Sequence, residues 1–336
     1  MGKGEVCMKA LVTGGGGFLG GAIVKALLKR GDSVKTIQRG HYPFLSELGV
    51  EAIQADVSNG NDIDAAARGC DIIFHVAAKA GVWGDYDEYY QANVIATQNV
   101  IKACENNHIP YLVYTSTPSV VFDGTDEAGI DETTPYAKTF FNAYQKTKAE
   151  AEQIILKANN SDLKTVALRP HLIWGPGDRH LAPRLIERAK AGRLRLVGSK
   201  DNKVDSCYID NAVQAHLLAA DCLQSVDSIC AGKAYFISND EPLTMTNLIN
   251  KILAAAELPS VTKTLNANTA YYIGVIFECI YRLFNIKQEP LMTRFVARQL
   301  STSHWFDLSA AKHDLAYQPA ISIDEGMKRL KQSFET

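Results

Sequence analysis

The stretch "MKALVTGGGGFLGGAIVKALLKRG", residues 8–31, limits the fold of this chain more than any other. Residues 8–14 form a short apolar run that predicts a strand. Residues 18–31 place apolar side chains at helical spacing and end in a glycine suited to a helix C-terminus. Between them Gly14, Gly17 and Gly20 give G-x-x-G-x-x-G spacing, with Phe18 and Leu19 opening the helix. A side chain at those glycines would block close approach of the backbone to a pyrophosphate. The helix N-terminus adds free N–H groups and the positive end of the dipole. A glycine loop between a strand and a helix predicts a nucleotide site rather than a bare turn.

The pattern continues in the same sense. Residues 33–38, 51–56, 70–77, 111–117 and 164–170 predict further strands. Helical segments lie between them near 61–68, 86–107 and 142–158. Strands alternating with helices imply βαβ units, and right-handed crossovers then give an α/β, doubly wound parallel sheet. The strands are almost wholly apolar, as expected for a sheet covered on both faces. After Pro170 the composition shifts: residues 171–205 are rich in Arg, Gly and Pro, 234–239 predict one more strand, and 240–336 are mainly helical. We therefore expect a dinucleotide-binding domain over 1–170 with a return near 205–239. A smaller, mostly helical substrate-binding domain would comprise 171–204 and 240–336.

The formal net charge of −2 gives no case for nucleic-acid binding. Seven scattered cysteines show no C-x-x-C pair and no ligand-like spacing with histidine. They predict reduced thiols, no metal centre and a cytoplasmic setting. No apolar leader precedes the first strand, and Gly2 lacks the following Ser or Thr that a myristoylation signal needs.

The second predicted strand ends "TIQRGHYP", without the carboxylate that would bind the ribose hydroxyls of NAD. Arg39 stands there instead. A guanidinium can pair with a 2′-phosphate through two parallel hydrogen bonds, so NADP(H) is the expected cofactor. The alternative is a solvated surface arginine. Asp56, after the third strand, is a candidate for the adenine edge or a plain turn residue.

Two groups carry chemistry. Thr115, Ser116, Thr117 and Ser119 cluster where the strand 111–117 ends, at the sheet edge where ligands bind in open α/β folds. Tyr144 and Lys148 follow, four apart and therefore on one helix face. A phenol with a pKa near 10 is a poor acid at neutral pH, and a neighbouring ammonium lowers that value. Such a phenol can protonate a ketone oxygen while a strand-end hydroxyl positions it. Lys146, two residues along, faces elsewhere and carries no role.

The motifs "TGGGGFLG", "HVAAKAG", "QANVIATQNVI", "YTSTPSV", Tyr144-x-x-x-Lys148, "LRPHLIWGPGD" and "YIDNAVQAHLLA" together resemble the extended short-chain dehydrogenase/reductases, over essentially the whole chain. That resemblance implies a Rossmann fold and the catalytic set Thr117, Tyr144 and Lys148, with Ser116 the other candidate hydroxyl. It implies cofactor contacts at the glycine loop and at Ala77, Ala78 and Pro170, with Asn93 supporting the site or the cofactor and Arg169-Pro170 beside the nicotinamide. Tyr208 and Asp210 fall on a later motif with a structural role. Homodimers are the family expectation. A closer similarity is to the bacterial reductases of 2-alkyl-3-oxoalkanoates in long-chain olefin biosynthesis, and a weaker one to 3β-hydroxysteroid and 4-carboxysterol dehydrogenases. The first implies a long-chain acyl-derived substrate and contact with a membrane or pathway enzyme. A non-catalytic NADP-binding sensor and a sugar-nucleotide epimerase are the remaining alternatives; the Tyr/Lys pair argues against the first and the apolar C-terminal segment against the second.

Two further segments bear on substrate. Residues 269–286 are apolar apart from Glu278 and Arg282, and are expected as a core helix, a wall for alkyl chains or a docking helix. Residues 179–203 hold eight Lys or Arg and two acids, which predicts a solvated helix face or a contact with the substrate carboxylate.

Overall fold

The computed structural model describes residues 7–335; Gly2 and the start of the chain lie outside the described residues. The apolar runs become a seven-stranded parallel sheet. Its strands are β1 (Lys9–Thr13), β2 (Ser33–Gln38), β3 (Glu51–Gln54), β4 (Ile72–His75), β5 (Tyr111–Thr115), β7 (Lys164–Pro170) and a last strand, Lys233–Ile237. The spatial order, from one edge, is Lys233–Ile237, β7, β5, β4, β1, β2, β3. The order reverses direction between β1 and β4, and this is where a doubly wound sheet opens a crevice beyond its strand ends. Ala10, Leu11, Val12, Ile72, Ile73 and Phe74 are fully buried, because helices cover both faces.

Helix α1 (Phe18–Arg30) starts at Gly17 and ends at Gly31, whose φ of 95° is the left-handed conformation that glycine adopts without a Cβ clash. The helix expected over 86–107 is three segments. Tyr86–Tyr89 and Ala96–Asn106 are α-helical, and Tyr90–Ile95 between them is a wider π turn. The helix Ala143–Lys157 is capped by Asn142, whose side chain accepts from the Gln145 N–H.

Two features cross the division at residue 170. Helix Ile209–Gln224 packs on α1, β5 and β7, and Lys233–Ile237 pairs with β7, so both return to the large sheet. Conversely β6 (Glu127–Ile130), early in the chain, pairs with His304–Phe306 in a separate four-stranded sheet. The remainder of the C-terminal part is mostly helical, chiefly Met245–Ala255, Ala267–Leu283, Arg294–Ser301 and Ile323–Glu335, with short strands such as Leu196–Val197 and Thr264–Leu265 between. Among the described residues no helix is long and apolar enough to cross a membrane.

Candidate active site

A cleft of about 1050 Å³ runs along the C-terminal ends of β1, β2, β4 and β5. The glycine loop forms one part of its wall. A Cβ at Gly20 would stand 2.2 Å from the Gly14 carbonyl oxygen, and one at Gly14 would stand 3.0 Å from the Ala77 Cα. The turn therefore closes tightly with glycine and leaves its floor bare. Gly17 caps α1 without a side-chain hydrogen bond, and no acidic residue occupies the first turn. The N–H groups there remain open to an anion. Thr13 braces the loop from behind: its hydroxyl accepts from the N–H groups of Val76 (3.1 Å) and Ala77 (3.0 Å) and bonds His75 at 2.8 Å. Burial pushes His75 down to about 3, so it is neutral.

Beyond α1 the wall passes Arg39, Asp56, Ala77 and Ala78. Arg39 is exposed and enters no ion pair among the described residues. One oxygen of Asp56 accepts from the Ser58 N–H and hydroxyl, at 2.9 and 2.8 Å. This donor set, a glycine cradle followed by an open guanidinium and a carboxylate, fits a dinucleotide.

The far end of the cleft holds Thr115, Ser116, Thr117, Ser119, Tyr144, Lys148 and Pro170. The hydroxyls are not equivalent. His216 Nδ1 donates to the Ala212 carbonyl, so its Nε2 must accept from the Thr115 hydroxyl, and Thr115 is committed away from the cleft. Ser116 Oγ is buried without a hydrogen-bond partner among the described residues. Thr117 bonds Ser119 and also reaches Tyr144, whose phenol burial pushes up and Thr117 pulls down. The lowered phenol expected from the Tyr/Lys spacing is thus not found. Lys148 donates instead to the Thr115 carbonyl at 2.6 Å and sits 4.2 Å over the Tyr114 ring. Burial pushes its ammonium down to about 7, against the opposing pull of Glu152. Gln145 fixes this corner by donating to the carbonyls of Ser119 and Phe122, both at 3.1 Å, and accepting from the Phe141 N–H.

Several expected contacts differ. Arg169 does not face the cleft. It is buried with its guanidinium on Glu152, at 2.6 to 3.2 Å, and only Pro170 reaches the wall. Successive strand residues point to opposite faces, so one of the pair had to turn inward. Asn93 is also off the wall. It is buried in the π turn, accepts from the Lys79 N–H, and donates to the Lys79 carbonyl and the Thr147 hydroxyl. It holds the "AAKAG" loop to the Tyr144 helix rather than touching the cleft. None of the eight basic residues of 179–203 lines the cleft. Residues 269–286 are not a core helix either: only Ala270, Gly274 and Glu278 of Ala267–Leu283 are buried. Tyr208 is buried against Trp174, and Asp210 pairs with Arg329.

Phe295 and Gln299, from the helix Arg294–Ser301, also line the cleft, as do His171 and His180. Nothing in the spacing of those residues signals it, because a distant helix folds over the sheet edge to bring Phe295 and Gln299 there.

The family model described as 3-beta hydroxysteroid dehydrogenase/isomerase matches residues 11–265. The chain belongs to that family. This agrees with the resemblance carried by its motifs. The chain is 55% identical to the 2-alkyl-3-oxoalkanoate reductase of Shewanella oneidensis, over 96% of this chain and 86% of that protein. It is 53% identical to the 2-alkyl-3-oxoalkanoate reductase of Stenotrophomonas maltophilia, over 97% and 99% respectively. The crystal structure of UDP-glucuronic acid 4-epimerase from Bacillus cereus in complex with NAD shares the fold, with a TM-score of 0.75 and 22% identity over 98% of this chain and 99% of that one.

Proposed function

We propose that this protein is an NADPH-dependent reductase that converts the 3-keto group of a long-chain 2-alkyl-3-oxoalkanoate to the 3-hydroxy acid, within olefin formation. The observation that carries the reading is the meeting of Thr117, Tyr144 and Lys148 in one cleft with the glycine loop. The relatives at 53–55% identity favour the alkanoate over the steroid in the family's description. Apolar cleft residues, Val82, Leu172, Ile173 and Phe295, suit alkyl chains.

When bound, the cofactor supplies the hydride that reaches the ketone carbon. The glycine loop and the α1 N-terminus would hold its phosphates, and Arg39 would pair with the 2′-phosphate. The Thr117 hydroxyl donates to the ketone oxygen and fixes its position. The Tyr144 phenol gives that oxygen its proton as the C–H bond forms. Although Lys148 does not lower the resting phenol, its ammonium, held in the same cleft by the Thr115 carbonyl, would stabilise the phenolate once the proton has left.

NADPH consumption tests the reading, with a synthetic 2-alkyl-3-ketoacid run beside a 3-ketosteroid. Turnover of the ketoacid is expected. Turnover of the steroid alone would reverse the assignment.

A further inference from the structure

The proposed reaction assigns no partner to the substrate carboxylate. One carbon separates that group from the ketone, so both must lie at the end of the cleft that holds Thr117 and Tyr144. The eight basic residues of 179–203 are not there. Of the lysines and arginines that do line the cleft, Arg39 is assigned to the cofactor, Lys79 pairs with Glu88, and Lys148 is held by the Thr115 carbonyl. His180 reaches the wall but stands in solvent. His171 remains, directly after Pro170 on the cleft wall.

Hydrogen bonds set the protons of that ring. His304 Nε2 lies 2.7 Å from the Gln299 carbonyl, which can only accept, so Nε2 carries the proton. His304 Nδ1 is then an acceptor, and His171 Nε2, 2.6 Å away, donates to it. The lone pair of His171 is therefore on Nδ1. That atom has no partner among the described residues and is not sealed from the cleft. The ring itself is 6% exposed and packs edge-on against His304 and Phe306. Gln299 completes the group. Its carbonyl holds His304, while the residue lines the cleft with a side-chain amide that has no partner among the described residues.

A lone pair repels a carboxylate, and an unpaired anion is costly where water is excluded. Both obstacles go when a proton enters with the anion. We propose that His171 and Gln299 receive the substrate carboxylate, and that one proton enters His171 Nδ1 with it. Nδ1–H then donates to one carboxylate oxygen, Nε2–H stays on His304, and the Gln299 amide donates to the other oxygen. The inference rests on the reductase reading. The resting pair is neutral, because burial pushes both rings down and His304 adds to the push on His171. Asp126 pulls His304 up against its burial. Glu127, opposite His304 in the strand pair, and Asp205, whose N–H donates to the His304 carbonyl, are pushed up by burial to about 8 and about 6. Arg169 is engaged by Glu152, and Lys148 is the other titrating group at this end of the cleft.

Turnover of a synthetic 2-alkyl-3-ketoacid is compared with that of its methyl ester, which keeps the ketone and loses the charge. The wild type should favour the acid in kcat/KM by about tenfold or more, and H171Q should remove most of that preference. Glutamine reaches the Nε2 position and keeps the His304 bond, but has no group at Nδ1. H171N sets an amide N–H near the Nδ1 position and should keep the preference. Q299A leaves the backbone carbonyl on His304 and should lower the preference by a smaller factor. The proton is counted by calorimetric titration of the NADP⁺ complex with the 2-alkyl-3-hydroxy acid, in buffers of different ionisation heat. At about pH 8 the wild type should take up about one proton and H171N none. Equal uptake by H171N assigns the proton to Lys148 and overturns the proposal. Equal wild-type turnover of acid and ester overturns it too, with the reductase reading intact. No wild-type turnover of the ketoacid removes the reductase reading and this site with it. The wild-type ratio and proton count need no variant, so misfolding of a histidine variant leaves the test standing.

Discussion

Tyr144 and Lys148 are the residues on which the proposed proton transfer depends, and burial acts on both. Replacing Tyr144 by Phe removes the proton donor but leaves the ring packing. We expect reduction to fall by about 10²–10⁴-fold, with the NADPH dissociation constant nearly unchanged in a fluorescence titration. Full turnover by Tyr144→Phe would remove the phenol from the mechanism. Lys148 is held down to about 7, so it is charged below that pH and loses its proton above it. Only the charged form favours the phenolate. The rate at saturating substrate should therefore decline as pH rises through about 7, and a flat profile from about pH 6 to about pH 9 would mean that the ammonium persists with ligands bound. Arg39 stands exposed beside the cleft. Arg39→Ala should weaken NADPH by about tenfold or more and NADH by about twofold or less. Equal losses would show that Arg39 does not read the phosphate. The Tyr/Lys pair was legible in the sequence because four residues on a helix fix a shared face. Thr117 was named with it, with Ser116 as the other candidate; what the sequence did not show is that His216, 101 residues away, engages the hydroxyl of neighbouring Thr115.

At the scale of elements, the strand–loop–helix unit depends on its glycines for space. The Cβ of an alanine at Gly20 would fall 2.2 Å from the Gly14 carbonyl oxygen, so backbone rather than a flexible side chain must move. Gly20→Ala should cost about 1–3 kcal/mol of stability, seen as a lower Tm, together with a loss of cofactor affinity. A folded Gly20→Ala variant with unchanged affinity would mean that the loop does not cradle the phosphates. The π turn at Tyr90–Ile95 was not legible. Its residues keep an ordinary helical pattern. What holds it open is Asn93, bonded to Thr147, 54 residues away, and to the backbone of Lys79. Such turns recur at functional sites because they re-aim one side chain without ending the helix.

Across the whole molecule, the cleft joins elements from both parts of the chain, from Gly14 near its start to Gln299 near its end. A ligand bound there stabilises the folded state by mass action, by about 2.7 kcal/mol at a hundredfold excess over its Kd. NADPH should therefore raise Tm by several degrees in differential scanning calorimetry, and NADH at the same concentration by less. An unchanged Tm with NADPH would remove the cleft as the cofactor site. The α/β class, the glycine loop, the missing acid after β2 and the Tyr144–Lys148 face are all legible in the chain. Each of these rests on local spacing, which the periods of strand and helix convert directly into geometry. Packing between distant segments sets the rest: Arg169 pairs inward with Glu152, Asn93 takes a bracing position off the cleft wall, and the basic run misses the cleft. It likewise turns the hydrophobic face of the apolar helix outward. Those outcomes depend on which distant side chain offers a partner or a covering surface, and pairings of that kind leave no period in the chain.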